Sequence, residues 1–362
     1  MSNESVNQQL EKEIEKARQE MGKRPNILVC GYTGSGKSSL TKAILGDIVP
    51  DDAIGHGAPK TMGFDCYEND LIRIWDSKGM ELGTTEAAFC AEVKEFVRKQ
   101  QNDPSVDNHI HLVWYVISGS GARVEDCELN LIKNIFNTKD VIVVITKSDI
   151  ARANQKEAVK QKLLSSGIDA NRIVFTSDLE GGAIGCKDLM ALSYAMLPAA
   201  YKDAFMEAQR IDIEAKVEAI KNKKGKAAAI IATACTAAGA AGAIPIPVSD
   251  APIIMAGQTA MIAGLAVLYG FEKEAVKKSI LPLLAKVAGV YTASTLIKLI
   301  PGLGSVVSGT VAVVLTGAMG WYVQYDFENM AIAKAKGEPV PEIDFNLESF
   351  MKFYEEYKNK EK

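Results

Sequence analysis

Residues 31–38 read Gly31-Tyr32-Thr33-Gly34-Ser35-Gly36-Lys37-Ser38, between an apolar run, Ile27-Leu28-Val29, and a stretch carrying Leu40, Ala43, Ile44 and Leu45 at helical spacing. A glycine-rich loop that leaves a strand and opens a helix is the phosphate-binding arrangement of α/β folds with a mostly parallel sheet. The glycines let backbone N–H groups converge on an anion without a Cβ in the way, and the helix N-terminus adds a positive dipole end. The spacing assigns the cradle to Thr33, Gly34, Ser35, Gly36, Lys37, Ser38 and Ser39. Lys37 then reaches the outer phosphates and the Ser38 hydroxyl serves as an Mg²⁺ ligand. The alternative is a Gly-rich turn before an ordinary helix, but nothing in it requires strand, loop, Lys-Ser and helix in this order.

A phosphate loop alone does not choose the base. The run Leu71-Ile72-Arg73-Ile74-Trp75 alternates like a strand and ends in Asp76-Ser77-Lys78-Gly79. This puts the Asp76 carboxylate at a strand tip, where it holds Mg²⁺ through water, and the Gly79 N–H beside the terminal phosphate. Farther on, Val141-Ile142-Val143-Val144-Ile145 is an unbroken apolar run of buried parallel-strand type that delivers Thr146-Lys147-Ser148-Asp149. A carboxylate at Asp149 accepts hydrogen bonds from the N1–H and N2–H₂ edge of guanine. Adenine lacks those donors and would leave it unpaired, a penalty of about 1 to 3 kcal/mol.

In order, these elements over residues 25–200 resemble the translation-factor-related GTPases, with Era-like and septin-like features. The resemblance implies GTP and GDP as ligands, Mg²⁺ as cofactor and hydrolysis of GTP to GDP and phosphate. It also implies that Thr61, in Gly57-Ala58-Pro59-Lys60-Thr61, is the switch threonine that joins the Mg²⁺ shell, so that Lys37, Thr61 and Gly79 form the catalytic set and Ser38, Thr61 and Asp76 the metal set. Ser177, in Thr176-Ser177-Asp178 after the strand 172–175, matches the last guanine-supporting loop, although the usual Ser-Ala is only partly kept.

Two departures bear on catalysis. Ras-like members orient the attacking water with a Gln after the Asp-x-x-Gly motif, whereas this chain has Met80, so slow hydrolysis is expected. Potassium-stimulated members carry Asn where this chain has Gly34, which disfavours potassium. The loop form instead resembles septin-like and immunity-related GTPases, which pair through their nucleotide faces. That implies a homodimer, with acceleration by a second protomer or a partner protein. Arg123 is either a charge donor in such a pairing or an ordinary surface arginine.

The chain of 362 residues has 41 Lys and Arg against 45 Asp and Glu, a net charge of −4, so no basic field draws it to nucleic acid. Cys30, Cys66, Cys90, Cys127, Cys186 and Cys235 are scattered singly and read as reduced core thiols of a cytoplasmic protein. Residues 1–22 hold no apolar signal core. They read instead as a helix with one narrow stripe of Leu10, Ile14, Ala17 and Met21 that needs a surface to dock on.

Composition shifts near residue 225: residues 227–249, 251–271 and 299–325 carry no charged residue. Their lengths reach that of a bilayer span. Against this, residues 227–243 are mostly Ala and Gly, Ile244-Pro245-Ile246-Pro247 stops a helix, and Pro301-Gly302-Leu303-Gly304 makes a second break. The pattern predicts helices at 227–243, 250–270, 273–299 and 303–336, either as a packed bundle or as a membrane-associating element. The segment 227–325 resembles a helical domain of unknown function that accompanies such GTPases in bacterial proteins. Asp250 and Gln258 are read as a helix cap and an interhelical hydrogen bond, or else as a site in the bundle.

The expected organisation is an N-terminal helix (1–24), a GTPase domain (25–200), a connector helix (201–226), an apolar helical domain of two hairpins (227–336), and a linker with a C-terminal amphipathic helix (337–362). The corresponding function is a slow GTPase switch coupled to a helical effector domain that engages an effector protein. The alternatives are a membrane-inserted or membrane-remodelling GTPase and, less in keeping with the acidic balance, a ribosome-assembly GTPase.

Overall fold

The structure is a computed structural model that describes residues 3–21, 23–50, 63–69, 71–78, 85–121, 123–136, 140–177, 184–242, 251–271, 309–341 and 347–360. The chain divides into two compact units: Lys23–Lys216, and Met1–Gly22 together with Val217–Lys362.

In the first unit the described strands are β1 (Asn26–Cys30), β2 (Phe64–Glu68), β3 (Arg73–Ser77), β4 (Leu112–Ser118), β5 (Val141–Thr146) and β6 (Ile173–Phe175). They form one sheet in the order β2-β3-β1-β4-β5-β6. Only β2 runs antiparallel, against β3, and the other pairings are parallel. Every residue of β1 and β5 is buried, as expected of central strands covered on both faces. The covering helices include α2 (Lys37–Leu45), α3 (Glu86–Gln101), α4 (Asp126–Asn130), α5 (Ala153–Ser165), α6 (Cys186–Met196) and α7 (Ala199–Ala208). Trp114, fully buried on β4, donates its indole N–H to Ser193 Oγ at 3.0 Å and so fixes α6 on the sheet. Chain order places β1 between β3 and β4, with the connections leaving in opposite directions. The crevice at the carboxyl ends of β1 and β4 is therefore the topological switch point where such sheets bind ligands.

At the opposite end of the sheet, His111 accepts the Asn26 N–H on Nδ1 at 2.9 Å and places Nε2 3.0 Å from the Val106 carbonyl. Its ring lies 3.9 Å from that of Tyr201, which in turn donates to Asp107 Oδ1 at 2.9 Å. Burial pushes the His111 imidazole down to about 4, against the opposing pull of Val106 and Asp107.

Two expectations are corrected. The connector does not run as one helix from 201 to 226: it breaks into α7, α8 (Ile213–Asn222) and α9 (Lys224–Gly242). The cause is Gln209, whose Oε1 accepts the N–H groups of Ile211 and Asp212 at 2.8 and 2.9 Å and whose Nε2 donates to Asp212 O at 2.9 Å. A side chain that satisfies backbone donors in a turn competes with helix continuation. Asp212 then opens α8 by accepting the Ala215 N–H at 3.0 Å. The second correction concerns the cysteines. Cys90 on α3 and Cys127 on α4 are joined as a disulfide, while Cys30, Cys66, Cys186 and Cys235 are free. Thirty-seven residues separate the pair, so single spacing in sequence concealed it.

The second unit is helical, built from α1 (Asn3–Met21), α9, α10 (Ala251–Leu268), α11 (Gly309–Lys336) and α12 (Leu347–Lys360). Leu10 and Ile14 of α1 are fully buried in one cluster with Ile231, Ile262, Leu265 and Phe327. The narrow N-terminal stripe thus docks within this unit. Small residues set the spacing: a Cβ on Gly239 would meet Val313 at 2.9 Å, and one on Gly320 would meet Ile231 and Met261 at 2.8 Å. Gln258 donates to Thr316 Oγ1 at 3.0 Å, the interhelical hydrogen bond that was one of its two readings. Lys223, buried, donates to the Leu268 carbonyl at 2.6 Å and so caps α10. Phe350 and Tyr354 of α12 are buried, with Tyr322 edge-on to Phe350. Asp250 and the helix predicted at 273–299 lie outside the described residues. Among the described residues, no helix is long and apolar enough to cross a membrane.

Two outcomes follow from these contacts. Denatured without reductant, the protein should titrate four thiols, rising to six after reduction. Between pH about 6.5 and about 4 the unfolded chain binds a proton at His111 that the folded unit refuses, so stability falls as pH falls through this window. Denaturant unfolding read at Trp75 and Trp114 in a Trp321→Phe background should register that slope, and His111→Gln should flatten it.

Candidate functional site

The loop between β1 and α2 adopts a conformation that side chains resist. Gly31, Gly34 and Gly36 have φ of 148°, 77° and 93°. A Cβ on Gly31 would meet the Val116 carbonyl oxygen at 2.1 Å, so β4 itself presses on the loop there. Gly36 is the N-cap of α2 and supplies no capping side chain, and the first turn contains no acidic residue. The positive end of α2 is therefore left for an external anion.

Lys37 is buried, and its ammonium donates to the carbonyls of Gly31 and Tyr32, both at 3.0 Å. Burial pulls its pKa down, while the nearby Asp76 carboxylate pulls it back up. Ser38 donates to Asp76 Oδ2 at 2.7 Å. Asp76, the penultimate residue of β3, is only 4% exposed, and burial pushes its carboxyl up to about 6 against Lys37 and Ser38. Its Oδ1 is buried with no partner among the described residues. A hydroxyl and a carboxylate with a spare oxygen, adjoining an anion cradle, form a hard oxygen donor set that fits Mg²⁺ completed by phosphate and water. Among the described residues there is no group of three or more His, Cys, Asp or Glu that could hold a metal ion.

The loop after β5 is bonded to the cradle. Thr146 Oγ1 donates to Ser35 O at 2.5 Å, and Lys147 Nζ donates to Gly34 O at 2.7 Å. Lys147 itself has φ 53°, an uncommon conformation for a side-chain-bearing residue. Asp149, two residues after Lys147 in this loop, is exposed. The loop after β6 joins in: Ser148 N–H donates to Thr176 O at 3.1 Å, and Ser177 N–H to Ile184 O at 3.1 Å. Ser177 is buried, and its Oγ has no partner among the described residues. Thr33 donates to Lys78 O at 3.3 Å, tying the exposed rim of the cradle to the end of β3. Ser39 is half-buried in the first turn of α2.

The structure therefore gathers Thr33, Gly34, Ser35, Gly36, Lys37, Ser38, Ser39, Asp76, Thr146, Lys147, Asp149 and Ser177 around the carboxyl ends of β1, β3, β5 and β6. Thr61, Gly79 and Met80 lie outside the described residues. The Arg123 side chain is 84% exposed, with Glu125 Oε1 4.0 Å away.

Two features escaped sequence reading. Ile150 and Ile184, 66% and 59% exposed, flank Asp149 and the β6 loop as apolar rims. Glu128, which reads as a surface residue of an acidic helix start, is 3% exposed. It accepts the Glu125 N–H at 2.9 Å, and burial pushes its carboxyl up to about 7. Its charge also helps to raise the phenols of Tyr32 in the cradle and Tyr115 beneath it.

The septin family model matches residues 88–181. Septin-2 of Bos taurus is 25% identical over 162 residues, covering 38% of this chain and 45% of the relative. Septin-10 of Homo sapiens is 26% identical over 160 residues, covering 39% and 35%. The chain thus spans less than half the length of these curated relatives. Among solved structures, Toc33 from Arabidopsis thaliana in complex with Mg²⁺ and GMPPNP aligns over 57% of this chain and 94% of that one, at 16% identity and TM-score 0.32. The septin GTPase domain from Chlamydomonas reinhardtii aligns over 40% and 59%, at 17% identity and TM-score 0.27.

Within the cradle, Gly31→Ala should cost several kcal/mol, because a backbone carbonyl cannot yield 1 Å to a new methyl. Gly34→Ala meets no atom within 4 Å and should cost only the left-handed backbone penalty of about 1–2 kcal/mol. Chemical denaturation of the two variants measures the difference. By fold, this unit is a mostly parallel α/β sheet with a glycine-rich phosphate loop, similar to septins over residues 88–181 and followed by a helical region.

Proposed function

We propose that the chain binds GTP and GDP with Mg²⁺, hydrolyses GTP slowly, and uses the bound nucleotide as a switch coupled to its helical unit. The observation that carries this reading is the bonding of the Thr146–Lys147 loop onto the carbonyls of Ser35 and Gly34. A phosphate cradle and a base-reading carboxylate are thereby held at one crevice.

In this reading the ammonium of Lys37 exchanges the Gly31 and Tyr32 carbonyls for β- and γ-phosphate oxygens, which carry full charge and make stronger hydrogen bonds. The N–H groups opening α2 face the same phosphates. Asp149 accepts the N1–H and N2–H₂ of guanine, and Ser177 supports the base from the β6 loop. Ser38 and Asp76, with Thr61, would hold Mg²⁺, which when bound neutralises charge developing on the phosphates. Thr61 and Gly79 act as the γ-phosphate sensors. Hydrolysis breaks the bond between the γ-phosphorus and its bridging oxygen as water attacks in line. Met80, at the position that follows Gly79, offers that water no polar group, so turnover is slow. Ile150 and Ile184 at the rim of the crevice support pairing of two copies through their nucleotide faces, with Arg123 the candidate for charge supplied in trans.

A second reading, a helical unit that docks on a bilayer or on an effector protein, draws on α9. Its outward residues Ala229, Ala232, Thr233, Thr236, Ala237 and Ala240 are exposed and uncharged. Flotation with liposomes, with and without a non-hydrolysable GTP analogue, separates the two occupants.

Calorimetry should find GTP and GDP binding at micromolar affinity that ATP does not displace. Lys37→Ala should weaken binding about tenfold or more, the worth of a charge-assisted hydrogen bond. Asp149→Ala should remove most of the preference for GTP over ATP. Equal affinity for ATP in the unaltered protein would defeat the reading.

A further inference from the structure

The phosphate-loop helix is met by a cation at the end away from the phosphates. α2 stops at Leu45, where the Gly46 N–H reaches back to Lys42 O and the carbonyls of the last turn face partners outside the helix. Arg210 supplies them from across the unit: its backbone N–H donates to Ile44 O at 3.0 Å, its Nε to Ala43 O at 3.4 Å and its Nη2 to Lys42 O at 3.3 Å. Gly46 makes room for the guanidinium, since a Cβ there would meet Arg210 Nη1 at 2.3 Å. α2 is thus polarised, with an uncapped positive end in the cradle and a guanidinium at its negative end. At 1.5 Å per residue its nine residues put the two ends about 13 Å apart.

The residues around Arg210 are not a loose loop. Gln209 is fully buried and bridges the turn from both ends of its amide. Lys216, one turn into α8, donates back to the carbonyls of Glu207 and Gln209. The segment 207–216 is therefore one braced piece, held to α2 through Arg210, and it is the stretch by which the chain leaves the Lys23–Lys216 unit.

We infer that Arg210 is a positioning residue that couples phosphate binding at the N-terminus of α2 to the seating of residues 209–216 at its C-terminus. The inference rests on the GTP-binding reading above and adds a route independent of Thr61 and Gly79. Anionic charge at the cradle and the Arg210 guanidinium face opposite ends of this one helix and act on the same dipole. By linkage, anything that unseats Arg210 must weaken nucleotide binding by the same factor.

The experiment is hydrogen exchange of the backbone amides of residues 209–212 in the full chain, with and without GTP and Mg²⁺, beside calorimetric GTP affinities. In the unaltered protein, nucleotide should slow exchange about two- to fivefold, the scale of a cation at a helix C-terminus. Arg210→Ala should abolish the slowing and lower GTP affinity by a matching factor, and Arg210→Lys should keep part of both. Gly46→Ala, which displaces the guanidinium with Arg210 intact, should reproduce Arg210→Ala. Unaltered protein that binds GTP yet exchanges identically with and without it overturns the coupling. So does an Arg210→Ala variant in which exchange rises equally in both states while the nucleotide-dependent ratio survives, the behaviour of a purely structural contact. Failure of the unaltered protein to bind GTP at all would instead overturn the functional reading.

Discussion

Two hydrogen bonds between distant loops organise the Lys23–Lys216 unit. Thr146 and Lys147, from the end of β5, take the carbonyls of Ser35 and Gly34. A trans peptide is planar, with its C=O and N–H on opposite sides. Drawing the Ser35 carbonyl toward β5 therefore turns the Gly36 N–H the other way, into the crevice that opens before α2. The same two residues hold the loop that carries Asp149, two residues after Lys147. The cradle and the loop after β5 thus share a single scaffold, closed across a sequence separation of 111 between Ser35 and Thr146.

The charges inside the cradle are held in a tension that a ligand would relieve. Lys37 and Asp76 are both buried deeply enough for desolvation to push each toward its neutral form, and each is kept charged mainly by the other. Ser38 steadies one carboxylate oxygen, and the second has no partner among the described residues. Such groups cost stability without a ligand. A site that holds partly unsatisfied charge is built for a partner of higher charge density than the protein itself supplies.

The helical unit follows a different economy. Apolar helices 18 to 28 residues long invite a membrane reading by length alone. In the structure their faces are consumed by one another: Leu10 and Ile14 of α1 pack into the cluster with Ile262, Leu265 and Phe327. Gln258 with Thr316, and Gln324 with Tyr269, form hydrogen bonds inside that packing. Interhelical amide and hydroxyl pairs of this kind cannot be seen in a linear chain, because each partner lies 55 or more residues from the other.

The amino-acid sequence by itself determined the cradle and the parallel sheet. Each rests on local chemistry: glycines where φ must be positive, a Lys-Ser pair at a helix start, and unbroken β-branched runs that no amphipathic surface would tolerate. It also indicated that α1 needs a surface, since a single stripe cannot stabilise an isolated helix. Tertiary structure alone decided the rest. The connector bends at Gln209 because a buried amide there satisfies the turn. Cys90 meets Cys127 because α3 and α4 pack on the same face of the sheet. Arg210 reaches the far end of α2 although about 165 residues intervene. Contacts of this length are set by how the elements stack, and propensity, spacing and periodicity carry no information about that.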